Sequence, residues 1–144
     1  MQEMTQDKWH RHELRVRYAE SDQMGVVYHA NYLAWLEIGR TELIRDLGFP
    51  YRKVEEMGLL LPVTEANLIY KKPARYDDPV QVLTRVTQLS GVRLQFGYEI
   101  RHGESEELLV TGTTSHVWVN PSWRPVRIER EAPELWALLA SYMT

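Results

Sequence analysis

An aspartate, Asp22, stands three residues ahead of Gly25 and seven ahead of His29 in the run YAESDQMGVVYHANYLAWLEIGRTELIR, positions 18 to 45. The glycine permits a tight turn and close backbone approach. The apolar positions that follow have helical spacing, so the carboxylate falls beside a helix N-terminus. N–H groups there lack intrahelical acceptors and carry partial positive charge. Such donors can hold a carbonyl oxygen as it gains negative charge, while the carboxylate activates water or attacks the carbon. A thioester suits so sparse a site. Its leaving thiolate is weakly basic, comparable to a cysteine thiol with a pKa of about 8.5, and needs little protonation. An amide would also require a strong acid, and a glycoside a second carboxyl group across the bond.

The neighbouring residues carry two readings each. Asp22 alone reads as a turn aspartate bonded to its own backbone. His29 offers its backbone N–H to an oxyanion, and its imidazole is equally suited to proton transfer or packing. Tyr28, Asn31 and Tyr32 are candidate walls of an acyl pocket, but Asn31 equally suits a helix cap and the tyrosines a core. Glu37 and Glu42 are rival acids on the helix. Their spacing to Arg40, Thr41 and Arg45 is that of ordinary surface pairs. Lys71, Lys72, Arg75, Arg93 and Arg124 are candidate phosphate ligands, with Arg93 singled out because it opens a strand after Ser90-Gly91. His10 and His12 lie one residue apart without a third ligand and read as surface, so no metal site is expected. No HExxH, GxSxG, Walker A or GxGxxG pattern occurs.

Several elements must position these residues. His12 to Tyr18 alternates, with Leu14, Val16 and Tyr18 on one face, as a half-buried strand does. The spacing predicts a helix from Asn31 to Leu47, stopped by Gly48 and Pro50, and a short helix over Tyr51 to Met57. Strands are predicted over Leu60 to Tyr70, Val80 to Leu89, Arg93 to Ile100 and Leu108 to Val119. A final helix is predicted over Ala132 to Tyr142, with Pro133 in its first turn. The apolar positions of the long helix spread beyond one stripe, so it must be covered on several sides. Strands of about ten residues extend about 33 Å, against about 26 Å for a helix of about 17 residues. The predicted fold class is therefore α+β: one antiparallel sheet wrapped around a long central helix. Its edges call for pairing with a second copy.

With 144 residues and 44% hydrophobic content, the chain reads as one domain, 1–144, with a polar extension over 1–10. The absence of cysteine removes disulfides, thiolate zinc sites and a cysteine nucleophile, and fits the reducing cytoplasm. A net charge of −3 gives no field favouring nucleic acid or an anionic membrane. No apolar run approaches the roughly 20 residues of a membrane span, and the polar first residues do not form a signal peptide's apolar core.

The pattern Tyr18-x-x-x-Asp22-x-x-Gly25-Val26-Val27-Tyr28-His29-x-Asn31-Tyr32-x-x-Trp35, followed by Arg40, Leu47 and Gly48, resembles the hotdog-fold acyl-CoA thioesterases of the 4-hydroxybenzoyl-CoA thioesterase type. The likeness continues through YKKPARYDDPV, FGYEI and TSHVWVN. The resemblance implies a hotdog fold in which Asp22 is the catalytic carboxylate and the His29 N–H helps hold the thioester carbonyl. Gly25, Tyr28, Asn31, Tyr32 and Arg93 are then the candidate substrate contacts. It further implies a dimer with one continuous sheet and active sites at its interface, often doubled to a homotetramer. No metal or cofactor is implied beyond the coenzyme A portion of the substrate. A related hotdog subgroup carries its acid on the central helix, which keeps Glu37 as a candidate. Two rival readings are a hotdog hydratase or dehydratase and a non-catalytic acyl-CoA-binding or regulatory domain.

Overall fold

Alternating apolar residues and tight turns give five strands: β1 (His10–Arg15), β2 (Val63–Tyr70), β3 (Pro79–Ser90), β4 (Arg93–His102) and β5 (Leu108–Val117). The structure, a computed structural model, describes residues 8–143. All strand pairs are antiparallel, in the spatial order β1-β3-β4-β5-β2. The β3–β4 hairpin turns through Gly91, whose φ of 55° is the left-handed value that Ser-Gly turns use.

The long helix α1 (Ala30–Asp46) lies on the inner face of this sheet, and α2 (Tyr51–Glu56) follows it. Trp35, Leu36, Leu43 and Ile44 of α1 are buried against inward-facing residues such as Val82, Val86, Leu94, Phe96 and Ile100. Each such side chain contributes about 1.5–3 kcal/mol through removal from water. Contact with β3 is close because position 39 is glycine: a Cβ there would lie 2.6 Å from Thr84 Oγ1 and 2.7 Å from Val82 Cγ1. Two helices end the chain, the single turn α3 (Ile128–Glu131) and α4 (Pro133–Ala140). Leu135 and Leu139 of α4 are fully buried. This is the hotdog arrangement, a curled sheet around one helix.

Some boundaries differ from expectation. β1 ends at Arg15, and Val16 N–H bonds to Asp78 O as the chain leaves the sheet. A 3-10 turn follows at Tyr18–Glu20, so Tyr18 is 77% exposed and does not share the inner face of Val16. His10, expected at the surface, is buried, with Nε2 2.6 Å from Asp46 Oδ2, because β1 runs beside the end of α1. The predicted extension over 1–10 therefore reaches into β1, and its residues 1–7 lie outside the described residues. β2 starts only after Pro62, which cannot donate to a ladder. Arg40, expected in a surface pair, is buried where α1 meets the sheet. Among the described residues, no helix is long and apolar enough to cross a membrane.

Candidate active site

The loop between β1 and α1 is built from short backbone bonds. Asp22 N–H donates to Val26 O at 2.8 Å, Gly25 N–H to Asp22 O at 3.1 Å, and Ser21 bridges Val27. Gly25 has a φ of 80°, which an L side chain rarely adopts. The Asp22 carboxylate joins this turn, its Oδ1 accepting Met24 N–H at 2.8 Å. The plain reading of a turn aspartate thus holds for one oxygen. Oδ2 has no partner among the described residues.

The start of α1 is held on both sides of His29. Val27 N–H donates to Ala74 O and Tyr28 N–H to Glu20 O, each at 2.9 Å, and Asn31 N–H reaches Tyr28 O at 2.9 Å. Between them, the N–H groups of His29 and Ala30 have no acceptor among the described residues. These are the polarised donors that a developing oxyanion can use.

Asp22 and His29 line one cleft of about 390 Å³, with Met24, Val26, Val27, Tyr32 and Tyr70 as apolar walls and Lys71 and Lys72 beside Pro73. The His29 ring packs 4.6 Å from Tyr28 and 6.1 Å from Tyr70, centroid to centroid. Tyr32 OH accepts Ala74 N–H at 3.0 Å, which leaves its own proton to donate. Burial pushes the Tyr32 phenol above its ordinary value, and the charges of Tyr70 and Asp22 add to this, against the Ala74 hydrogen bond. It therefore stays protonated at neutral pH. Lys72 Nζ is paired with Glu107 at 2.6 Å, which raises its pKa, whereas Lys71 has no ion pair among the described residues. A second cleft of about 490 Å³, bounded by Tyr18, Ser21, Gln23, Gly25 and Tyr76, also touches Asp22.

Asp22, His29 and Tyr32 thus share one cavity, Tyr28 supports His29, and Gly25 shapes the turn. Two expected contacts are placed elsewhere. Asn31 Nδ2 donates to Glu20 O at 2.9 Å, so that amide ties the loop to the helix. Arg93 pairs with Val117, seven residues along β5 from the Val110 that faces Tyr70. At about 3.3 Å per residue that is about 23 Å from the cleft of the same chain. Glu37 lies eight residues along α1 from His29, about 12 Å at 1.5 Å per residue, and lines a separate cleft of about 360 Å³ with Ala34, Ile38, Thr41 and Glu42. Glu42 pairs with Arg45 at 3.3 Å, as its spacing suggests. Sequence reasoning missed Tyr70, an inward residue at the end of a strand, and Glu20, a buried carboxylate that spacing alone marks only as an acid two residues before Asp22.

One carboxylate, Asp22, and the free N–H groups at the start of α1 thus border one cleft on a hotdog scaffold. The chain belongs to the Thioesterase-like superfamily, whose family model matches residues 16–134. It is 45% identical over 123 residues to the protein named "Putative acyl-CoA thioesterase YneP" of Bacillus subtilis (strain 168); the match covers 85% of this chain and 88% of that protein. It is 35% identical over 92 residues to the acyl-CoA thioester hydrolase YbgC of Escherichia coli O157:H7, covering 64% of this chain and 69% of that one. Among solved structures, the DHNA-CoA thioesterase of Staphylococcus aureus superposes with a TM-score of 0.86 at 37% identity, covering 92% of this chain and 89% of that one.

Proposed function

We propose that this thioesterase hydrolyses acyl-CoA thioesters, with Asp22 as the essential carboxylate and the N–H groups of His29 and Ala30 as oxyanion donors. The observation that carries this reading is that Asp22, with one unpartnered oxygen, shares a cleft with His29 at the open N-terminus of α1. The names of the relatives support the substrate class.

In one route Asp22 takes a proton from water as the water oxygen bonds to the carbonyl carbon. The oxyanion rests on the helix donors, the C–S bond breaks, and coenzyme A leaves as a thiolate that takes up the proton. In the other, Asp22 attacks the carbonyl carbon, the C–S bond breaks and coenzyme A leaves as a thiolate; water then opens the resulting mixed anhydride, restoring the Asp22 carboxylate and giving a proton to the thiolate. Both need only the carboxylate, the donors and water. The apolar walls around Tyr32 and Tyr70 suit the acyl group, and Lys71 at the rim suits the phosphates of the coenzyme A arm. The cysteine-free chain fits work in the cytoplasm.

We read the assembly as at least a dimer joined through β2. This edge strand exposes Val63, Ile69 and Tyr70 at 42%, 55% and 50%, and Tyr70 belongs to both edge and cleft. A second copy beside β2 would wall the site.

The test is free-thiol release from a panel of acyl-CoAs by wild type and Asp22→Asn. Wild type is expected to release thiol, and the variant to lose roughly 10²–10⁴-fold in kcat with its fold intact. Hydration of an enoyl-CoA with the thioester intact would identify a hydratase instead. Tight acyl-CoA binding without thiol release would identify a binding domain.

A further inference from the structure

Glu20 lines neither cleft that Asp22 touches, yet its carboxylate is buried two residues before Asp22, with the residue only 8% exposed. A buried carboxylate is costly unless donors surround it. Here Oε1 accepts Arg17 N–H at 2.8 Å and Oε2 accepts the Trp35 indole N–H at 2.9 Å, with the Arg17 guanidinium 3.5 Å away. The backbone oxygen of the same residue accepts Tyr28 N–H and the Asn31 amide, both at 2.9 Å. Tyr28 and Asn31 bracket the two free N–H groups at His29 and Ala30. Trp35 lies one turn further into α1.

We infer that Glu20 is a positioning residue, which sets the spacing between the Asp22 carboxylate and the open end of α1. One side chain and its own carbonyl clamp the start of the loop, the return of the loop and the first two turns of the helix. Burial alone would push the Glu20 carboxyl upward, but the Arg17 and Trp35 hydrogen bonds and the Arg17 charge hold it below its ordinary value. It is therefore ionised at neutral pH and accepts from both sides. Loosening it would let the loop slide against the helix, and a 1 Å misplacement at a reacting centre costs on the order of 10²-fold. The inference rests on the catalytic reading given above.

Glu20→Gln keeps the size of the side chain but replaces one acceptor with an NH2 that must face Arg17 N–H or the Trp35 indole. The expected result is a kcat lowered on the order of 10²-fold with KM within about 3-fold. Trp35→Phe, which removes one donor only, should lower kcat by a smaller factor. In an Asp22→Asn background, adding Glu20→Gln should lower the residual rate little further, because Glu20 acts through Asp22. A Glu20→Gln kcat within about 2-fold of wild type, or an undiminished further loss in the Asp22→Asn background, overturns the inference. If Glu20→Gln does not fold, Trp35→Phe decides: an unchanged kcat overturns the inference, and a lowered kcat at unchanged KM supports it. Failure of the catalytic reading looks different, since wild type would then release no thiol or Asp22→Asn would match it.

Discussion

His116, 1% exposed, is an ionisable side chain that the proposed chemistry does not use. Its Nε2 lies 2.8 Å from Thr114 Oγ1, which lies 2.6 Å from Tyr98 OH, and its Nδ1 is 3.4 Å from Leu61 O. Tyr98 donating to Thr114, Thr114 to Nε2 and Nδ1–H to Leu61 satisfies the chain with a neutral ring. Burial, then the nearby Arg40 charge, lower its pKa from 6.5 to about 4, against the Leu61 and Pro62 carbonyls. Between those values the unfolded chain binds a proton that the folded chain refuses. Stability from this residue is therefore complete above about pH 6.5 and fades toward pH 4, by about 3 kcal/mol. Imidazole NMR resonances should show His116 neutral at pH 5, and titration near 6.5 would contradict this account. At this scale the sequence was informative where placement follows from spacing, as at Asp22 and His29, which line one cleft. It was silent where a role depends on a distant partner: the Glu20 carboxylate is held by Trp35, and the buried His10 ring is bonded to Asp46.

The element that sets the site is α1, and its seat on β3 is the tightest constraint upon it. Alanine at position 39 would gain about 1 kcal/mol in helix propensity. Its Cβ would meet Thr84 and Val82 at 2.6 and 2.7 Å, and both are β-branched side chains that cannot swing aside cheaply. Overpacking of this kind costs about 1–3 kcal/mol. Gly39→Ala is thus expected to lower stability by about 1 kcal/mol, read as a lower urea midpoint at unchanged slope. A variant as stable as wild type would show that the helix sits further from the sheet. Period and punctuation made most elements legible: Gly48 and Pro50 mark the end of α1, and alternation from Arg93 marks β4. The pattern failed at Tyr18, which continues the alternation of β1 although the chain turns there into the 3-10 turn Tyr18–Glu20. The single turn α3 carried no periodicity long enough to read.

At the scale of the whole molecule, the sheet wrapping α1 followed from lengths and apolar pattern, whereas the surfaces it leaves uncovered could be seen only in three dimensions. β2 is exposed along nearly its whole length. The buried Arg40 has no hydrogen-bond acceptor among the described residues, and its Nε is enclosed. The exposed edge of β2 suits the proposed second copy, which would stand beside Tyr70 and the cleft. The central claim is that one carbonyl meets Asp22 and the open end of α1 together. The most direct measurement is a crystal structure with an acyl-CoA analogue in which CH2 replaces the thioester sulfur and the carbonyl is kept. The expected result places the carbonyl oxygen about 2.7–3.1 Å from the backbone nitrogen of His29 or Ala30, with Asp22 facing the carbonyl carbon. A carbonyl seated instead beside Glu37, remote from Asp22, would contradict it.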